Sequence, residues 1–322
     1  MEIWRLVRKL SGAVLIALAV FSAPMSSYAG KGTLKLHEAD WTGNLVFANL
    51  AQILLEEELD YKAKLIFMPG GAGAWEALAA GDLDMGFEFW PNYNVGTKEK
   101  YMTEYGGDGS VEMVTRTGVI GASDYWVPRY VIEGDTARGI KAVAPDLKSW
   151  EDLNKYKSIF ATVETGGRGR LVGCPTPAWD CQDQPRLDAL GIDFQAVELG
   201  TDTALWAELE GAYSRGEPIL IYAWAPMWIF AKYDLVSMSL PENKDGKCWP
   251  ACGWATDNTF HAANPGLKDK APDAYALLKN VHLTNDQQAP MIFDVDVDKM
   301  SPEEAVRKWM ASNESIWRAW LP

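Results

Sequence analysis

An α/β fold built on largely parallel sheets is the architecture that this 322-residue sequence predicts. Three observations predict it. Short strand-like runs alternate with helical patterns, prolines close two of those runs, and one helix start carries a complete capping signal. The elements follow in chain order. Arg5, Arg8 and Lys9 precede the apolar run Leu10 to Phe21, and Ser27-Tyr28-Ala29 offers a small-x-small cleavage pattern. Residues 1–29 therefore read as a secretory signal, with a mature start near Gly30. The apolar run is shorter than the roughly 20 residues of a spanning helix, and no Cys near the cleavage point offers a lipid anchor. A periplasmic protein is expected. Thr33 to His37 reads as a strand and Trp41-Thr42-Gly43-Asn44 as a polar turn. Phe47, Leu50, Ala51, Leu54 and Leu55 then recur at helical spacing. Lys64 to Met68 predicts a strand, Ala74 to Ala80 a helix stopped at Gly81, and Met85 to Phe89 a buried strand. Further strands are expected at Ser158 to Thr162 and Pro218 to Tyr222, and helices at Ala204 to Arg215 and Pro272 to Asn280. Ser301-Pro302-Glu303-Glu304 is a capping box with Pro at the first helical position, opening a helix through Trp309.

Charge narrows the partners. Without residues 1–29 the chain holds 27 basic and 43 acidic residues, a formal net charge near −16. That excess repels nucleic acid and anionic membranes and favours a soluble monomer. Cys174, Cys181, Cys248 and Cys252 all lie in the exported part, where an even count predicts two disulfides. Three connectivities are possible, and the sequence-local one is the simplest. A zinc site is the rival, but His37, His261 and His282 do not flank the cysteines and the spacings fit no zinc ribbon.

Fifteen tryptophans are several times ordinary usage. Core packing accounts for Trp75, Trp150, Trp206, Trp309, Trp317 and Trp320, which fall on helical faces or in turns. Trp41, Trp90, Trp126, Trp179 and Trp224 are placed differently, in loops or at strand exits. Open α/β sheets bind ligands beyond the carboxyl ends of their strands. Phe89-Trp90-Pro91 and Trp224-Ala225-Pro226 put a ring at such an exit, because proline ends the pairing there. A box of such rings suits a quaternary ammonium, whose charge is spread over methyl groups that donate no ordinary hydrogen bonds. Each desolvated aromatic face is worth about 0.5–2 kcal/mol to such a cation.

Several segments resemble glycine betaine-binding proteins of ABC importers. Leu171 to Cys181 resembles their Cys-bounded loop, in which a cage Trp precedes the second Cys; this implies Trp179 as a cage member and a Cys174–Cys181 bridge. Tyr222-Ala-Trp-Ala-Pro-Met-Trp228 is similar to their Tyr-Thr-Trp-Thr-Pro-x-Trp motif and implies Trp224. Phe87-Glu-Phe-Trp-Pro91 resembles their first-domain cage motif and implies Trp90. Trp41 looks like the first-loop Trp of choline-binding relatives, and Trp126 sits where relatives carry a crossover aromatic. The resemblance runs from about Leu34 to the C-terminus. It implies a type II periplasmic-binding fold of two α/β lobes joined by a hinge, with residues 31–122 and 256–322 in lobe one and 123–255 in lobe two. It also implies closure around the ligand and a transient membrane permease partner; no catalytic residue, cofactor or metal-ligating residue is expected.

Family members that hold a betaine carboxylate often carry a His where this chain has Asn94, and Asp180 stands where a Gly is common. Both differences disfavour an anionic group. Glu88 either faces a cation or a protonated N-oxide, or is a hydrogen-bonded strand-end carboxylate. These features lean toward trimethylamine N-oxide, and the chain resembles the branch of the family that binds it. Glycine betaine is the alternative, followed by choline or a dimethylsulfonio compound. Rival classes fare worse. No nucleophile elbow, zinc-protease helix, P-loop or dinucleotide fingerprint is present. Asp294 to Asp298 has Lys299 and Ala305 where a calcium loop needs Gly and Glu, so it reads as a strand or turn. A sugar-binding protein would stack its ligand on Trp as well. It would need flanking Asp, Asn and Arg hydrogen-bonders, whereas these motifs are flanked mostly by Phe, Tyr, Ala and Pro.

Overall fold

The computed structural model describes residues 30–322 except Asn94 and Asp245. The secretory signal expected at residues 1–29 lies outside the described residues, as does Asn94. Nine strands form one sheet: β1 (Thr33–Glu38), β2 (Lys62–Phe67), β3 (Met85–Phe89), β4 (Glu112–Pro128), β5 (Gly169–Val172), β6 (Phe194–Val197), β7 (Leu220–Ala225), β8 (Leu235–Ser237) and β9 (Asp257–Ala263). The order is β2-β1-β3-β9-β4-β7-β5-β6, with β8 paired to β4 off this path. β1 runs parallel to β2 and β3, and β5 runs parallel to β6 and β7. The parallel expectation therefore holds within each half of the sheet. β4 and β9 depart from it, pairing antiparallel with each other and with their other neighbours.

β4 joins the halves. From Glu112 to Gly121 it pairs with β9, and from Ala122 to Pro128 with β7 and β8. The chain crosses back at β9, so the second half of the sheet is an insertion between two parts of the first.

Helix Thr42–Glu57 forms because its apolar residues share one stripe, and it buries Val46, Phe47, Leu50, Ile53 and Leu54 against the sheet. Helix Ala72–Ala80 ends at Gly81, whose φ of 77° is the left-handed cap that glycine supplies without strain. The Ser301–Glu304 capping box is formed, with both reciprocal bonds, at the start of helix Pro302–Ser312. Three expectations fail. The polar turn expected at Trp41–Asn44 is, from Thr42 on, the first turn of helix Thr42–Glu57, with Trp41 as its N-cap. Ser158–Thr162 is no strand, since Lys157–Phe160 closes a helical turn that buries Phe160 instead of alternating. The strand or turn expected at Asp294–Asp298 is instead, up to Asp296, the end of helix Asn285–Asp296, opened by a Thr284–Gln287 capping box. The cysteines pair locally, Cys174 with Cys181 and Cys248 with Cys252. Among the described residues no helix is long and apolar enough to cross a membrane.

Candidate ligand-binding site

A cavity, partly open at its mouth, lies in the seam between the two halves of the sheet. Its walls include Trp41, Trp75 and Trp90 from the first half and Trp179, Tyr222 and Trp224 from the second. Four of the five predicted tryptophans thus converge. Trp179 stands edge-on to Trp41 at 5.9 Å between ring centroids and edge-on to Trp224 at 5.2 Å. Trp206, on helix Asp202–Arg215, backs Trp224 at 4.9 Å.

Trp126 does not join them. Its neighbours Tyr125 and Val127 are fully buried, so alternation along β4 turns Trp126 to the other face, where it packs on Phe230 at 4.8 Å. Trp75 does two things. It packs edge-on against Phe89 and Phe260, as core packing predicts, and it also lines the cavity. Tyr93, Tyr222, Phe89 and His37 are wall residues that the sequence reading did not select. For Tyr222 the signal was present, since it lies two residues before Trp224 and so shares its face of the strand.

Behind the rings lie carboxylates. Glu88 is fully buried, with a φ of 51°, at a register shift of β3 between Gly86 and Phe89. That bulge re-aims its side chain behind the Trp41 and Trp90 rings. Its Oε1 accepts from Trp41 Nε1 at 3.0 Å and Trp90 Nε1 at 3.1 Å, and its Oε2 accepts from Gln288 Nε2. Of the two roles considered for Glu88, the hydrogen-bonded strand-end carboxylate describes its position, because it is not a wall residue. Burial pushes its carboxyl up to about 7, although all three N–H donors oppose that shift. Asp40 Oδ1 accepts from Trp179 Nε1 at 3.1 Å and from the Gly70 amide at 2.9 Å. Three of the indoles lining the cavity therefore spend their N–H groups on acids behind them.

Among the described residues the walls hold no Lys, Arg, Asp or Glu. Burial holds the His37 imidazole below its ordinary range, so it is neutral, and its Nε2 contacts the Met68 carbonyl at 2.9 Å. The polar end is made of hydroxyls. Tyr93 Oη lies 2.6 Å from both Ser123 Oγ and Tyr222 Oη.

Two glycines make the box possible. A Cβ on Gly70 would lie 2.7 Å from the Trp41 ring, and one on Gly121 would lie 2.1 Å from the Trp90 ring. Beneath the second half, Arg186 is buried over the Trp254 face at 3.7 Å. It donates to the carbonyls of Cys181 and Cys252, tying the two disulfide loops together.

Residues 32–312 match the family model described as the substrate binding domain of ABC-type glycine betaine transport system. The chain is 27% identical over 321 residues to a trimethylamine N-oxide-binding protein of Pelagibacter ubique, covering 96% of each. Among solved structures it is similar to a glycine betaine, L-proline-binding protein (ProX) of Borrelia burgdorferi, with a TM-score of 0.72, 18% identity, and 90% and 97% of the two chains covered. It is also similar to lactococcal OpuAC in its closed conformation with glycine betaine, with a TM-score of 0.68, 21% identity, and 90% and 100% covered.

Proposed function

Because the chain belongs to the family of substrate-binding domains of ABC-type glycine betaine transport systems, and so binds rather than catalyses, we propose that it captures trimethylamine N-oxide in the periplasm for such an importer. The observation that carries this reading is the cage itself. Trp41, Trp90, Trp179 and Trp224 meet around one cavity whose walls offer aromatic faces and no charged side chain. Methyl groups on a positive nitrogen gain both quadrupole attraction and apolar contact there. Asp40 behind the Trp179 indole, and Glu88 behind Trp41 and Trp90 once ionised above about pH 7, add negative potential. Among the described residues no cationic wall residue is present to hold a carboxylate, which favours the N-oxide over glycine betaine. The Tyr93–Ser123–Tyr222 hydroxyls suit the single oxygen of an N-oxide. The relative from Pelagibacter ubique supports the same choice.

The two sheet halves act as lobes, residues 31–122 with 256–322 and residues 123–255, and close on the ligand. The closed form is the one offered to the permease. Glycine betaine, the compound in the family's own description, is the alternative.

Side-by-side calorimetry with trimethylamine N-oxide, glycine betaine, choline and maltose tests this. The expected result is micromolar binding of the N-oxide, about −8 kcal/mol, with betaine weaker. Trp90→Ala, Trp179→Ala and Trp224→Ala should each lose at least roughly tenfold in affinity, the share of about one ring. Tighter betaine binding would transfer the assignment to betaine. Heat from maltose alone would end the methylated-amine reading.

A further inference from the structure

The seam between the sheet halves continues past the cavity to a second set of contacts. Trp228 follows β7 in the second half, and its Nε1 donates to Asp296 Oδ2 at 3.0 Å. Asp296 ends helix Asn285–Asp296 in the first half, and its other oxygen accepts from Thr42 Oγ1 at 2.6 Å. Neither Trp228 nor Asp296 lines the cavity. The Trp228 indole is 8% exposed, so this bond is shielded from water. Among the described residues it is one of two places where an indole of the second half donates to a carboxylate of the first, the other being Trp179 on Asp40 at the cavity wall.

A third acid, in the second half, lies within electrostatic reach of Asp296 and Asp40. Asp202 opens helix Asp202–Arg215 in the second half and is 8% exposed. Its side-chain partner is Thr203 Oγ1, at 3.4 Å. Burial, and then the charges of Asp296 and Asp40, push its carboxyl up to about 7. Lys299 is the cation near Asp296, with its Nζ on the Asp296 carbonyl at 2.5 Å. Bringing the halves together thus forms two indole–carboxylate bonds and also presses Asp202 toward two like charges.

We propose that the Trp228–Asp296 bond is a latch that sets how long the closed form lasts, and that Asp202 is the brake opposing it. This rests on reading the chain as a capture protein that closes on its ligand. Both residues are positioning residues, since neither touches the cavity. The latch forms after encounter, so its loss acts on release and not on entry. The brake acts in the opposite sense, which a general loss of structure does not.

The test measures association and dissociation rates by stopped-flow tryptophan fluorescence for wild type, Trp228→Phe and Asp202→Asn. The probes are trimethylamine N-oxide, glycine betaine and choline. Loss of one charge-assisted bond predicts dissociation roughly tenfold faster in Trp228→Phe, with association within about twofold. Asp202→Asn should dissociate roughly threefold more slowly. Unchanged dissociation in Trp228→Phe, or the same direction of change in both variants, overturns the latch. If wild type binds none of the three amines, the ligand reading fails, and small-angle scattering of the three unliganded proteins then judges the latch alone. A larger radius of gyration for Trp228→Phe than for Asp202→Asn supports it, and identical radii overturn it.

Discussion

At pH 8, above the point near 7 where the Glu88 carboxyl titrates, replacing Glu88 by Gln removes one charge and almost no volume, yet it strikes two walls of the cavity at once. In the wild type a single oxygen accepts both the Trp41 and Trp90 indoles, at 3.0 and 3.1 Å. Bonds to an ionised acceptor are worth about 1.5–3 kcal/mol and neutral ones about 0.5–1.5, so each indole loses about 1 kcal/mol of anchoring. The second wild-type oxygen accepts from Gln288, and the new amide places N–H groups there instead. Some of this loss is offset, because a neutral amide is cheaper to bury than a carboxylate. Folding stability should therefore change little, while the cage loosens. The expected outcome is a drop of roughly tenfold in affinity for the N-oxide, about 1.4 kcal/mol. The assay is calorimetry beside thermal melting, with tryptophan emission recorded for the empty protein. Wild-type affinity in Glu88→Gln, with unaltered emission, would refute the view that this carboxylate positions the rings.

Other outcomes follow from the same geometry. Gly121→Ala puts a Cβ 2.1 Å from the Trp90 ring, so the ring must leave its place. Calorimetry should show at least roughly tenfold weaker binding, the share of one ring, with a nearly unchanged melting temperature. Arg186→Met strands the buried Asp183 and the carbonyls of Cys181 and Cys252, and denaturant unfolding should register a loss of about 3–5 kcal/mol. Stability should fall as pH rises through the window from about 4.5 to about 7. Glu88 titrates near 7 in the folded chain and near its ordinary 4.5 when unfolded, so the folded state binds more protons there. Asp202 and Asp257 are also pushed to about 7 and act with the same sign. Melting followed from pH 5.5 to 8 should slope less steeply in Glu88→Gln, and an identical slope would exclude Glu88 as a contributor.

Much of this molecule can be read from its residues because local rules act without help. The stripe of helix Thr42–Glu57, the capping box at Ser301 and the strand-ending prolines each depend on neighbours within a few positions. What escaped reading depends on distant partners. β4 is 17 residues long, but Gly118, Gly121 and the shift between Arg116 and Ile120 blur its alternation. Trp126 follows a crossover-like pattern, yet the pleat turns it away from the cavity. The role of Glu88 rests on a positive φ at a bulge and on Gln288, 200 positions away. No short-range signal encodes that meeting.

The placement of β9 carries a consequence for the order of assembly. It lies between β3 and β4, although some 130 residues separate β4 from it in the chain. A nascent chain that ends before Asp257 presents β3 and the front of β4 with no strand between them, whereas every strand from β5 to β8 has already emerged. The inserted half can fold from contiguous sequence while the first half waits for its middle strand. Synthesis therefore delivers the keystone late, and the cavity, which draws its walls from both halves, is among the last features to exist.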